Sequence, residues 1–133
     1  MSDTSETFFT SIGCMDGRVQ NPVANLGRER FEALFADAIT EAGIVGILAK
    51  NTDSKLLESI KKKLLISLEK HHSKGVIVHG HTDCAGNPVP DEKHREDVLK
   101  ATEIIRQFVP EGIEVVPAFV VKSTKQWGVE LLA

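Results

Sequence analysis

Two short runs of apolar and β-branched residues stand out along the chain, residues 7–13 (TFFTSIG) and residues 75–81 (GVIVHGH). Each is too short for a helix and apolar enough to be buried on both faces, so both read as strands inside a parallel sheet. Between them Leu56, Leu57, Ile60, Leu64, Leu65 and Leu68 recur at helical spacing with lysines on the other face. With Ser54 as N-cap, this predicts a helix ending near His71 or His72. A second helix starts near Asp91, carries Val98, Ala101, Ile104, Ile105 and Phe108, and stops at Pro110–Gly112. Residues 113–121 (IEVVPAFVV) read as a last strand, with Pro117 arguing for an edge position or a bulge. Residues 35–39 predict one more strand, which the apolar IVGIL that follows at 44–48 continues in extended form. Residues 19–30 (VQNPVANLGRER) read as a surface loop, because Pro22 disfavours a helix there.

The resulting order, β, β, α, β, α, β, predicts an α/β fold: a mostly parallel four- to five-stranded sheet with helices on its faces. At 133 residues the chain is expected to form a single domain, 1–133. In such sheets ligands bind beyond the carboxyl ends of the strands, where successive connections leave in opposite directions.

Composition narrows the function. A net charge of −3 with only 5% aromatic residues does not supply the basic surface of a nucleic-acid binder. No apolar stretch approaches the roughly 20 residues that span a bilayer, and the polar start MSDTSET lacks the order of an export signal. A cytoplasmic protein with neither nucleic-acid nor membrane partners is expected. In a reducing compartment the two cysteines, Cys14 and Cys84, are better read as metal-binding or redox-active than as a disulfide. They lack C-x-x-C spacing, which disfavours the redox reading.

Both cysteines follow predicted strands. "SIGCMDGR" places Cys14, Asp16 and Arg18 at alternate positions, and "HGHTDCAG" separates His81 from Cys84 by two residues. An H-x-x-C pair in a loop leaving a strand can turn a ring nitrogen and a thiolate toward one point. With Cys14 added, three soft or borderline ligands suit Zn2+, and three protein ligands leave a fourth tetrahedral position open. His79 is expected on the strand face opposite His81, as a packed or surface residue. Asp83 reads equally as a turn cap or as support for the site.

C-x-D-x-R followed downstream by H-x-x-C resembles the β-class carbonic anhydrases, and "VIVHGHTDCAG" is similar to that family's strand and loop beyond the ligands themselves. The resemblance implies a zinc lyase for a small-molecule substrate, hydrating carbon dioxide reversibly to bicarbonate by zinc-bound hydroxide. It implies Cys14, His81 and Cys84 as metal ligands and Asp16 and Arg18 as a catalytic dyad, with Asp16 also a possible fourth ligand in a closed form. It further implies a homodimer, to which the amphipathic tail KSTKQWGVELLA around Trp127 could contribute if it does not pack on its own sheet. The same motif would serve a hydrolase of carbonyl sulfide or carbon disulfide, or a non-catalytic zinc protein whose site Asp16 closes. Two departures from the family pattern are "TEAG" at Thr40–Gly43, where an R-N-A-G type segment is usual, and Ala85 in place of glycine.

Overall fold

The structure, a computed structural model, describes residues 6–132. The start of the chain, residues 1–5, whose polarity argued against an export signal, lies outside the described residues. The elements run β1 (Phe8–Gly13), α1 (Gly17–Phe31), β2 (Phe35–Thr40), α2 (Ile44–Lys50), α3 (Ser54–Glu69), β3 (Val76–His81), α4 (Asp91–Arg106), β4 (Val115–Ser123) and β5 (Gln126–Leu131). They form one five-stranded sheet in the order β2-β1-β3-β4-β5, parallel except for the β4–β5 pair. This is the α/β architecture expected.

Alternation along the strands divides the core in two. Phe9, Ile77, Val116, Ala118 and Val120 pack with Val19 and Val23 of α1 on one face. Ile12, Val76, Val78 and Phe119 pack on the other with Ile44 and Leu48 of α2, Ile60 and Leu64 of α3, and Val98, Ala101 and Ile105 of α4. The chain leaves β1 through α1 to reach β2 on one side, then crosses by α2 and α3 to β3 on the other. The switch point therefore falls between β1 and β3, and the two motif-bearing strands end side by side.

Four local expectations are corrected. Residues 19–30 are helix α1, not loop: Val19, Val23 and Gly27 repeat at helical spacing and are buried. The Asp16 carboxylate caps α1 by accepting from the Arg18 N–H at 2.9 Å. Cap and packing outweigh the hydrogen bond that Pro22 cannot donate in the second turn. IVGIL is the start of α2 rather than extended chain, entered through Gly43 in the left-handed region at φ 63°. Ile44, Val45 and Leu48 bury its inner side, and seven residues are too few to display a helical period in the sequence. The cap of α3 is Asp53, whose side chain accepts from the Leu56 N–H at 3.0 Å, one residue before Ser54. The helix ends at Glu69, short of the histidines.

Pro117 lies in an interior strand, because the tail adds β5 beyond β4. Its carbonyl accepts from Leu132 N–H at 2.9 Å. In a strand the amide and carbonyl of one residue face the same neighbour, so the missing N–H falls on the β5 side, where the ladder is ending, and costs nothing against β3.

Gly27 brings α1 against the sheet: a Cβ there would lie 2.1 Å from the Phe9 ring. Gly27→Ala is expected to destabilise the fold by about 1–3 kcal/mol by overpacking, more than the roughly 1 kcal/mol that alanine gains in helix propensity. Urea denaturation of the two proteins measures the difference; an equal or higher midpoint for alanine would contradict this packing.

Candidate metal centre

Past the Ile12–Val78 pair, the last of the β1–β3 ladder, the two strands part and deliver their motifs. Cys14 follows β1 directly, and His81 closes β3. The backbone then turns sharply, with Asp83 in the left-handed region at φ 58°, a conformation aspartate tolerates, and the turn brings Cys84 back toward His81. One ligand atom each from Cys14, His81 and Cys84 lies within 4.8 Å of the others, and all three residues are buried. The two sulfurs are 3.8 Å apart. Sulfurs held at about 2.3 Å by one tetrahedral zinc ion would be about 3.8 Å apart.

The imidazole of His81 is set for a ligand. Its Nδ1 lies 2.8 Å from the Thr82 carbonyl, which only accepts, so Nδ1 carries the proton and Nε2 keeps its lone pair. That Nε2 is buried without a hydrogen-bond partner, which costs about 1–3 kcal/mol unless something accepts the lone pair. The sulfurs are supported by backbone amides: Gly43 N–H lies 3.5 Å from Cys14 Sγ, and the Gly86 and Asn87 amides point at Cys84. Burial, and then the adjacent Cys14 sulfur, push the Cys84 thiol above its ordinary pKa. A cation between the sulfurs offsets both effects, so the donor set fits a zinc ion.

"TEAG" has a structural task here. A Cβ on Gly43 would lie 2.3 Å from the Gly86 carbonyl oxygen, and Gly43 is itself at positive φ. The β2–α2 turn thus lies directly on the loop that carries Cys84, and only glycine fits at that point.

Asp16 and Arg18 lie beside this cluster. Asp16 Oδ2 is 4.0 Å from His81 Nε2. Arg18 binds the carboxylate with both arms, Nε to Oδ1 at 3.0 Å and Nη2 to Oδ2 at 2.7 Å. Arg18 hydrogen bonding holds the Asp16 pKa at about 2, against the opposing effect of burial. Arg18 also donates from Nη2 to the Asp83 carbonyl at 3.0 Å and from Nη1 to Asp83 Oδ2 at 3.3 Å, so Asp83 joins the site through the arginine.

Two histidines complete the surroundings. His79 does not face away from His81: residues two apart share a side of a strand, and His79 is fully buried with Nε2 2.9 Å from Ser11 Oγ. Burial lowers its pKa to about 3, keeping it neutral. His94 of α4, which sequence reasoning missed, is buried 6.0 Å from the His81 ring and edge-on to Phe119 at 5.3 Å. Its signal was helical spacing, since His94 precedes Val98, Ala101 and Ile105 on one buried stripe.

A family model described as "Putative carbonic anhydrase" matches residues 4–133. The chain belongs to this carbonic anhydrase family. The fold agrees. A carbonic anhydrase from Streptococcus mutans superposes with a TM-score of 0.62 at 20% identity, covering 93% of this chain and 81% of that one. The β-carbonic anhydrase isoform I of Trichomonas vaginalis gives 0.56 at 15% identity, covering 92% and 81%. A carbonic anhydrase from Glaciozyma antarctica gives 0.55 at 19%, covering 90% and 80%. No curated protein matches the chain significantly. Among the described residues of this carbonic anhydrase family member, no helix is long and apolar enough to cross a membrane.

Arg18→Met is expected to return the Asp16 pKa from about 2 toward its ordinary 3.8, followed by the carboxyl carbon chemical shift during acid titration. Because the folded pKa is the depressed one, the stability Asp16 contributes is complete above about pH 4 and is lost as pH falls toward 2. Wild type and variant should therefore converge in stability at the acid end and differ above it.

Proposed function

We propose that the protein is a zinc-dependent carbonic anhydrase that hydrates carbon dioxide reversibly to bicarbonate. The observation that carries the reading is the buried, unpartnered Nε2 of His81 beside two sulfurs spaced 3.8 Å apart, in a chain of the carbonic anhydrase family. Cys14, His81 and Cys84 would hold the ion. Zinc bound there supplies Lewis acidity, making a nucleophile of water.

The chain's own residues account for the rest. Asp16, ionised at every working pH, accepts a hydrogen bond from the reacting water and aims its lone pair. Arg18 keeps that carboxylate oriented and charged by its two-armed bond. As thiolates, Cys14 and Cys84 would cancel the formal charge of such an ion, so activity is expected to rise toward alkaline pH relative to a site of three neutral histidines. The Thr82 carbonyl fixes the ring of His81 and raises its basicity.

Metal analysis of the purified protein is expected to find one zinc per chain. Cys84→Ser should weaken zinc binding more than about 100-fold, beyond what a supporting group costs. Stopped-flow assays should show carbon dioxide hydration rising between about pH 6.5 and about pH 9 as the nucleophile forms, with Asp16→Ala lowering kcat about 100-fold. Stoichiometric zinc without activity on carbon dioxide, carbonyl sulfide or carbon disulfide at any pH would favour a non-catalytic zinc protein instead.

A homodimer belongs to the same proposal. Met15, between Cys14 and Asp16 in the chain, is 64% exposed, an apolar side chain that a second copy would cover. Sedimentation at micromolar concentration is expected to give a dimer; a monomer would remove this part of the proposal.

A further inference from the structure

Arg18 hydrogen-bonds to two acidic residues, one at the start of its own helix and one in the Cys84 loop. Asp16, at the start of α1, takes the Nε and one Nη2 hydrogen. Asp83, in the loop between His81 and Cys84, takes bonds from Nη2 and Nη1. All of these contacts lie near the guanidinium plane. Nothing among them fixes the group perpendicular to that plane, and an arginine whose side chain is 42% exposed is open to competing water and retains much rotamer freedom.

The missing constraint comes from β5. The Arg18 guanidinium carbon lies 4.6 Å from the centroid of the Trp127 ring. Trp127 is itself held: it pairs across the hairpin with Lys122 and packs against the core cluster of Phe9, Val19 and Val23, so the indole is tied to the same helix that carries Arg18. It is the only tryptophan in the chain.

We propose that Trp127 is a positioning residue for the candidate metal centre. Its indole seats the Arg18 guanidinium so that Arg18 binds Asp16 and the Cys84 loop together, which keeps the Asp16 carboxylate beside the Cys14–His81–Cys84 cluster rather than within it. Trp127 is assigned no part in the Cys14–His81–Cys84 cluster itself and acts through Arg18. The assignment rests on the zinc reading for its catalytic meaning, but the seating of Arg18 is measurable without metal.

The test follows the Arg18 Nε–H in the metal-free protein by NMR hydrogen exchange, comparing wild type, Trp127→Phe and Trp127→Leu. Loss of the cation–π contact should speed Arg18 Nε–H exchange about fivefold in Trp127→Leu, and phenylalanine should restore most of it. Backbone amides of β1 and β3 should be unchanged, which separates loss of seating from general loosening. Trp127→Val, suited to an edge strand, replaces the leucine variant if that one does not fold. Unchanged Arg18 exchange, or equal acceleration of the strand amides, overturns the proposal. In the zinc-loaded protein Trp127→Leu is expected to lower kcat with little change in KM; a change in KM alone overturns the action through Asp16. If wild type takes up no zinc, the zinc reading fails while the exchange comparison still decides the role of Trp127.

Discussion

The parallel pairing of β1 with β3 is the constraint on which the rest of the molecule depends. It is short, running from Thr10–Val76 to Ile12–Val78, and every other element is placed by reference to it. Connections leave these two strands toward opposite sides of the sheet, so helices cover both faces and the carboxyl ends are left open between them. Where the ladder stops, Gly13 makes room for the buried ring of His79, since a Cβ on Gly13 would lie 2.0 Å from that imidazole. The Ser11–His79 hydrogen bond spans the strands just below the point where they part. Cys14 and His81 thus begin from a fixed separation, and only the Asp83 turn remains to bring in Cys84.

That arrangement concentrates polar atoms in a place the fold has already dried out. Among the described residues the buried side-chain nitrogens without a partner are His79 Nδ1 and His81 Nε2, both at this end of β3. Elsewhere the buried polar groups are satisfied, as where Thr10 bonds Ser67 and Ser73 at 2.7 Å each. An unsatisfied nitrogen at His81 is intelligible as a donor aimed at a cation. His79 is held instead by packing and by its one bond to Ser11, and its neutrality follows from burial.

What could be read from the residues divides along physical lines. β1 and β3 were legible because burial on both faces writes an uninterrupted apolar run, and the Cys14–His81–Cys84 cluster was legible because thiol and imidazole groups at those spacings, each after a strand, can be turned toward one point. Helix α1 was hidden by Pro22: local preference opposes the helix, and what decides for it is the Asp16 cap with Val19 and Val23 against a sheet that the sequence does not display. α2 was hidden by its length, and β5 by the hairpin that returns the tail to β4. The faces of His79 and His81 were misjudged, although a period of two places them together. His94 and the Arg18–Trp127 contact depend on tertiary approach between distant segments, and no spacing records that.

Asp16 carries the remaining tension in the design. One carboxylate caps α1 through the Arg18 N–H, receives both arms of the Arg18 side chain and stands 4.0 Å from the His81 nitrogen. To ligate a metal it would have to leave the helix, where a cap is worth about 1 kcal/mol, and give up two charge-assisted bonds, each stronger than a neutral one. Arg18 would not follow, because Asp83 and Trp127 hold it where it is. The pull of a cation on Asp16 is therefore opposed by the start of a helix and by an arginine anchored to two other elements. A bound cation would compete with the helix for this one side chain, and in this structure the helix has it.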